Sequence, residues 1–347
     1  MEKLIKKIGN LDVKAMEKAQ GHLDSLTKPP GSLGVLERIA VQLAGITGEI
    51  IPDLRNKVIL VMVGDHGVVE EGVSAFPQEV TAQMVHNFLQ GGAAINVLAR
   101  HSGARVLVAD LGMKETIDHP QLVAAKVRAG TGNMARGPAM TREEAMAAIK
   151  TGARIAQEQI AQGAQLLATG EMGIGNTTAS SAIAAAFTGL PVDSLIGIGT
   201  GLDEKGRQHK IQVVKKALAC NDPDPHDPID VLAKVGGLEI AGLTGAILAA
   251  GANGVPMVID GLISSAAALT AIRLAPQVRD YIIPSHLSEE PGHKILLESM
   301  GLQGMLHMQM RLGEGTGAAL AFPIIDAVGK LLAEMATFQS AGISSGS

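Results

Sequence analysis

Two glutamates stand in glycine-rich turns, where few other side chains compete for a ligand. The first is Glu171, in ATGEMGIGNTTASSA (168–182), where an apolar run enters three glycines and continues as a small-residue helix. A glycine-rich turn between strand and helix ordinarily receives an anion, because the first N–H groups of the helix point outward unpaired. A carboxylate in that turn needs another partner. The turn lacks the Gly-Lys-Ser/Thr of a nucleoside-triphosphate loop, and Thr178 replaces the third glycine of a dinucleotide fingerprint after Gly173-Ile174-Gly175. The second glutamate is Glu314, in Met310-Arg311-Leu312-Gly313-Glu314-Gly315-Thr316-Gly317, just ahead of the apolar stretch 318–322. There desolvation raises a carboxylate pKa and a helix start lowers it. Such a group suits general-base work near neutral pH, or serves only its own helix start.

Six apolar runs read as the strands that would position these turns: 58–63, 105–109, 165–169, 195–198, 256–259 and 281–283. Segments of helical period separate most of them, such as Val80, Met84, Phe88 and Leu89. Thr141-Arg142-Glu143-Glu144 is a capping box opening a helix towards Gln162. The alternation predicts an α/β fold, a parallel Rossmann-like sheet of about six strands flanked by helices. The strand tails carry glycine with small polar or acidic residues: Gly64-Asp65-His66-Gly67, Asp110-Leu111-Gly112, Gly170-Glu171-Met172-Gly173, Gly199-Thr200-Gly201, Asp260-Gly261 and Ser285-His286-Leu287-Ser288. Ligands of open α/β sheets sit beyond the carboxyl ends of the strands, so the six tails point to one shared crevice.

The chain ends read differently. Residues 1–49 and 290–347 are mainly helical, with Ser32 expected to cap the helix carrying Leu33, Leu36, Ala40 and Leu43. They are expected to join as a smaller helical domain over a large α/β domain of residues 50–289. Asp65-His66 lacks the further ligands a metal site needs. Asp260 either anchors loop N–H groups or touches substrate, and Lys210 is either a functional cation or a solvated helix residue. His307 is expected on a helix with Met308 and Met310 packing the core, and Cys220 as a small buried or half-buried residue.

With 347 residues, a formal charge of −5 and 2% aromatic residues, the chain has neither the basic runs nor the stacking platforms of a nucleic-acid binder. Its N-terminus is charged and amphipathic, and no apolar segment reaches the roughly 20 residues that span a bilayer. One cysteine excludes an internal disulfide or thiolate cluster. The expectation is a cytoplasmic protein with no nucleic-acid or membrane partner, no metal and no cofactor.

Longer motifs add to this. LTKPPGSLGVLE (26–37), GDHGV (64–68), GTGNMARGPAM (130–140), GEMGIGNTT (170–178), GIGTGL (197–202), DVLAKVGGLEIAGLTG (230–245), PSHLS (284–288) and LHMQMRLGEGTGAAL (306–320) run almost end to end. Together they resemble the nicotinate-nucleotide:dimethylbenzimidazole phosphoribosyltransferase family, which makes the lower-ligand nucleotide of cobamides. The resemblance implies a homodimer that moves phosphoribose from nicotinate mononucleotide to an azole base, giving the α-linked nucleotide, with Glu314 as the base. It further implies that Glu171 reads the ribose. Phosphate oxygens would meet N–H groups of Gly173, Ile174, Gly175 and Asn176 and of Gly199, Thr200 and Gly201, with Lys210 and Ser288 placed beside them by the resemblance, and Asp260 is a further candidate for binding phosphate or ribose.

One departure concerns the acceptor. Where the family resemblance implies a small polar residue and a glutamine, this sequence has Phe76 and Met84, with Met172 beside Glu171 and Leu312 and Gly313 beside Glu314. A more apolar pocket implies acceptors beyond 5,6-dimethylbenzimidazole, such as other benzimidazoles, purines or phenolics. The competing readings are a nucleotide-cofactor oxidoreductase and a non-catalytic partner subunit of such an enzyme.

Overall fold

A computed structural model describes residues 1–197, 201 and 203–344. At its centre lies strand β1 (Lys57–Gly64), buried along its whole length. Val58, Leu60 and Met62 enter one apolar core, while Ile59, Val61 and Val63 enter another on the opposite face. A strand covered on both faces reads as a continuous apolar run, as VILVMV does. Strands β2 (Ala104–Gly112), β3 (Leu122–Ala124), β4 (Leu166–Met172), β5 (Met257–Ile259) and β6 (Ile282–Pro284) complete the sheet. All pairs are parallel and the order is β3-β2-β1-β4-β5-β6. The chain builds outward from β1 in one direction and then in the other, which opens a crevice at the switch between β1 and β4.

Five of the expected strands are present and one is not. The run 195–198 does not pair: Val192–Leu195 is a short helix, Ile196 is irregular, and residue 198 lies outside the described residues. Leu195 and Ile196 are buried, so their apolarity serves packing against helix Pro291–Ser299 rather than a ladder. A short apolar run does not by itself distinguish the two. The sixth strand is instead β3, three residues on the edge of β2, too brief to announce itself.

Helices Arg142–Ala161, Asn176–Thr188, Leu238–Ala252 and Leu262–Leu274 cover the face of Val58, Leu60 and Met62. Helices Val35–Thr47, Val80–Leu89, Ala94–His101 and Thr316–Glu334 cover the other. The two helices from the chain ends thus share a core with the sheet, and Lys57 Nζ reaches Asp326 at 2.6 Å. Thr316–Glu334 is long and apolar enough by composition to cross a membrane, and half of its most apolar stretch is buried within the molecule.

Local signals fared unevenly. Thr141 accepts from Glu144 N at 3.1 Å and Glu144 returns the bond to Thr141 N at 2.7 Å, as the capping box requires. Ser32 does not cap: helix Val35–Thr47 starts after Gly34, and Glu37 reaches back to Leu33 N at 2.9 Å and to Lys28 Nζ at 2.9 Å. His307 and Met308 are not helical. They lie on an irregular stretch after Gly301 and Gly304 that bridges His286 through Leu306, and Met308 is exposed. Cys220 is exposed, on the last turn of helix Glu204–Asn221.

Helices Arg142–Ala161 and Leu238–Ala252 approach backbone to backbone. A Cβ on Gly152 would collide with Gly242, and one on Gly245 would collide with Ile149 O and Ala153 N. No flexible side chain can yield there. Gly245→Ala should therefore cost about 1–3 kcal/mol or more. Gly329→Ala, with open space around its Cβ, should gain up to about 1 kcal/mol. Denaturant unfolding of the two variants checks this, and equal effects would contradict the close helix contact.

Candidate active site

Asp260 follows β5, and its carboxylate turns inward to the start of helix Thr316–Glu334. Oδ1 accepts from Gly317 N at 2.8 Å and Ala318 N at 3.2 Å, and Oδ2 from Gly315 N at 3.2 Å. Burial raises its pKa, while His286 and these N–H groups pull it back. Both oxygens are engaged by the protein, and the cavity lining contains Gly261 but not Asp260. Of the two roles left open for Asp260, its contacts are those of a loop anchor.

The anchored loop carries Glu314. Gly313, Glu314 and Gly315 are successively left-handed, with φ of 88°, 63° and 96°. For Glu314 this conformation costs roughly 1–2 kcal/mol, and strain of that kind collects at functional sites. The backbone of Glu314 presses on Gly170, where any Cβ would collide with its carbonyl oxygen. The side chain is 6% exposed, and Oε2 accepts from Ile95 N at 3.2 Å, at the start of helix Ala94–His101. Burial raises the pKa of Glu314 most, the Ile95 N–H opposes it, and the charge of Asp260 adds to the rise.

Glu171, near the end of β4, stands opposite Met62 of β1. It is 5% exposed, accepts from Asn176 Nδ2 through Oε2, and lies against Gly313 where a Cβ would strike Oε1. Its pKa is pushed up to about 8, by burial first and then by Asp260 and Glu239, with Asn176 opposing and Glu314 adding a little. Glu239 pairs with His66, Oε1 to Nε2 at 2.6 Å, both side chains wholly buried. The His66 ring backs the glycine turn, its Cδ2 3.4 Å from where a Gly173 Cβ would stand. Asp65 accepts from Gln78 Nε2 at 2.7 Å and Lys114 N at 2.8 Å, so it ties down the loop behind Phe76.

Glu171 and Glu314 open on one cavity of about 350 Å³. Its apolar lining includes Phe76, Val80, Met84, Met172 and Leu312, with Gly313 among them. Its polar lining includes Thr177, Lys210, Ser288, Glu290 and Arg311, together with Gly173, Gly175, Asn176 and Gly201. Lys210 is 4% exposed and donates to Thr177 Oγ1 at 2.7 Å, which excludes the solvated-residue reading. Burial pushes its pKa down to about 8, against the pull of Glu290. Within the glycine turn, Ile174 N is committed to Thr81 Oγ1 and Asn176 N to Gly173 O, so neither N–H is spare.

Gly199 and Thr200 lie outside the described residues. The tails of β1 and β2 do not line the cavity; they brace the loops that do. The sequence reading missed Glu290 and Arg311 as lining residues, whereas His286, in a strand tail already assigned to the crevice, does line it. Glu290 stands two places beyond Ser288, and Arg311 three before Glu314, inside or beside motifs already singled out.

Known proteins resemble this chain in sequence and in fold. A phosphoribosyltransferase family model matches residues 8–343. The nicotinate-nucleotide–dimethylbenzimidazole phosphoribosyltransferase of Desulforamulus reducens is 58% identical over 344 residues, covering 99% of this chain and 98% of that protein. The enzyme of that name from Halalkalibacterium halodurans is 53% identical, with coverage of 99% and 96%. A crystal structure of the Thermus thermophilus enzyme superposes with a TM-score of 0.92 at 48% identity, covering 97% of this chain and all of that one. With a sheet of matching fold and a likeness that spans nearly its whole length, this chain belongs to the nicotinate-nucleotide–dimethylbenzimidazole phosphoribosyltransferase family.

Proposed function

We propose that this protein transfers phosphoribose from nicotinate mononucleotide to a benzimidazole-type base, releasing nicotinate and forming the α-riboside 5′-phosphate of a cobamide lower ligand. The observation that carries the proposal is Glu314, held strained and shielded against the same cavity as Glu171. In the donor, C1′ is bonded to a positively charged pyridine nitrogen. As that bond breaks its electron pair returns to the ring, and nicotinate leaves without needing a proton. The acceptor nitrogen forms the new bond to C1′ from the opposite face. Its partner nitrogen still carries N–H, and positive charge would build on the ring unless a base removed that proton.

Glu314 is that base. A raised pKa makes it a stronger base than an ordinary carboxylate, and its anchored loop fixes the direction of approach. Glu171 accepts hydrogen bonds from ribose hydroxyls and faces the charge that develops on the sugar. With a pKa of about 8 it rests protonated at neutral pH, and a cationic donor favours its ionised form. Lys210 and Ser288 take the phosphate, with the N–H of Gly175 at the start of helix Asn176–Thr188. Phe76, Met84 and Met172 form an apolar, adaptable wall for the acceptor. A homodimer belongs to the same reading, because Phe76 and Leu312, 46% and 53% exposed, leave an apolar rim at the cavity. The free, exposed thiol of Cys220 fits the reducing cytoplasm.

Glu314→Gln should lower kcat by about 10²–10⁴ with the donor KM little changed. Free nicotinate released with time is the measurement, and a rate within about threefold of the parent would remove Glu314 from the mechanism. In the parent, kcat should rise with pH through an inflection above the ordinary glutamate value of 4.5, a limb the variant lacks.

Glu171 makes a prediction about stability. Its pKa is raised on folding, so its favourable contribution is complete below the unfolded value of 4.5 and is lost as pH climbs to about 8. Glu171→Gln escapes that loss. The ligand-free variant should gain on the parent between about pH 5 and pH 8, at up to about 1.4 kcal/mol per pH unit, and level off above. Denaturant unfolding at both ends of the range gives the answer, and a constant difference would mean Glu171 ionises normally.

With two acceptors present at equal concentration, the apolar wall predicts mixed α-riboside products from 5,6-dimethylbenzimidazole and an unsubstituted benzimidazole. Exclusive use of the dimethyl compound would overturn it.

A further inference from the structure

An acid stands in the part of the cavity that is otherwise built for an anion. Glu290 lines it together with Lys210, Ser288 and Thr177, and it is 8% exposed. It is joined to that group through its backbone, since Glu290 N donates to Ser288 Oγ at 3.3 Å. Ser288 N in turn donates to His293 Nδ1 at 2.9 Å, which fixes the turn. A phosphate dianion bound by Lys210 and Ser288 would meet a carboxylate with little water to screen the repulsion. One proton removes the conflict, because a protonated Glu290 becomes a hydrogen-bond donor to a phosphate oxygen.

We infer that Glu290 is a phosphate-recognition residue that takes up a proton from solvent as the donor binds. The inference rests on the reading that the donor phosphate lies against Lys210 and Ser288. In the empty site Glu290 balances the charge of Lys210; in the complex the phosphate takes over that role and Glu290 turns neutral. The site thereby accepts a doubly charged monoester without keeping an unopposed carboxylate beside it.

The surroundings favour such a change of state. Burial raises the pKa of Glu290, while Lys210 and Arg311 lower it, so a phosphate that occupies those cations removes what keeps it ionised. His293, on the helix that begins beside Glu290, is pushed down to about 3 by burial and stays neutral across the working range. On the packed helix Val192–Leu195, Asp193 is occupied by Lys215 at 2.7 Å, and Arg207 donates to Ile196 O at 2.8 Å and to Asp193 O at 2.9 Å. His286 also lines the cavity, with Nδ1 3.0 Å from Ser285 Oγ and 3.9 Å from Asp260 Oδ1. Glu289 is exposed on the same turn, and its N–H donates to Met310 O at 3.0 Å.

The test is calorimetric titration at about pH 7.5 in two buffers of different ionisation enthalpy, which counts protons taken up per ligand bound. The parent should take up more protons with nicotinate mononucleotide than with nicotinate riboside, by up to about one per site. In Glu290→Gln that difference should shrink to the small share owed to Lys210. Between about pH 7 and pH 8 the parent's donor affinity should fall up to about tenfold more than the variant's. Equal proton counts in parent and variant, or equal counts for nucleotide and riboside in the parent, would overturn the inference, and the riboside comparison needs no variant to fold. A Glu290→Gln protein that loses donor affinity about tenfold at every pH from 6 to 8 would also overturn it, because the carboxylate itself would then be the ligand. Lys210→Ala separates the two levels. A loss of donor affinity of about tenfold or more supports the phosphate reading, while unchanged affinity removes that reading and the inference with it.

Discussion

Three backbone N–H groups at the start of helix Thr316–Glu334 converge on one buried carboxylate, that of Asp260. The first turn of a helix cannot satisfy those donors internally. Here they are supplied by a residue from the end of β5, so the helix start is tied to the sheet across the crevice. That tie holds Gly313-Glu314-Gly315 in a run of left-handed conformations that only the two glycines adopt without strain. The position of Glu314, the proposed base, thus follows from a cap rather than from any contact it makes with a ligand. Asp260 also withholds itself from the substrate for this reason, although it sits at a strand end where ligands of such sheets usually lie.

The electrostatics follow from the same packing. Asp260, Glu171 and Glu314 are buried near one another, with Glu239 behind them, and the charges of Asp260, Glu239 and Glu314 all raise the pKa of Glu171. Like charges brought together in a dry region resist ionisation. The empty protein carries this as a latent cost, and a ligand with positive charge at its centre relieves it. Lys210 shows the mirror case, a buried cation whose pKa falls because desolvation outweighs the pull of Glu290. The cavity is thus least at ease when empty, with one carboxylate kept neutral by its neighbours and one cation weakened by burial. A zwitterionic donor, cationic at the ring and anionic at the phosphate, matches that separation of charge.

Much of this was legible in the sequence, and what was not has physical causes. The strands of the centre were visible because burial on both faces forces unbroken apolar runs, and Glu171 and Glu314 because a carboxylate among closely spaced glycines is uncommon. Leu195-Ile196 misled because burial against a helix and burial in a sheet demand the same residues. β3 was missed because three residues at a sheet edge have no period. Met308 and His307 looked like core helix, but Gly301 and Gly304 break the chain there and leave it irregular. The wall of the cavity was found from motifs, whereas Glu290 was overlooked because an acid among anion-binding residues contradicts the simple expectation of charge matching.

That contradiction connects the polar part of the cavity to its catalytic part. Each of its lining glutamates, Glu171, Glu290 and Glu314, has a pKa raised with burial as the leading cause. A raised pKa makes each easier to protonate than an ordinary glutamate, but the states required differ. In the proposed mechanism Glu314 must be ionised when the azole arrives, Glu171 is ionised best beside a positive sugar, and Glu290 is neutral best beside a phosphate. The proposed donor imposes the last two conditions together, since its positive centre and negative phosphate act on different carboxylates. On the proposed roles, specificity for a nucleotide with a cationic base needs no separate lock: a neutral nucleoside monophosphate would lack the charge that ionises Glu171, and a riboside would lack the anion proposed to engage Lys210.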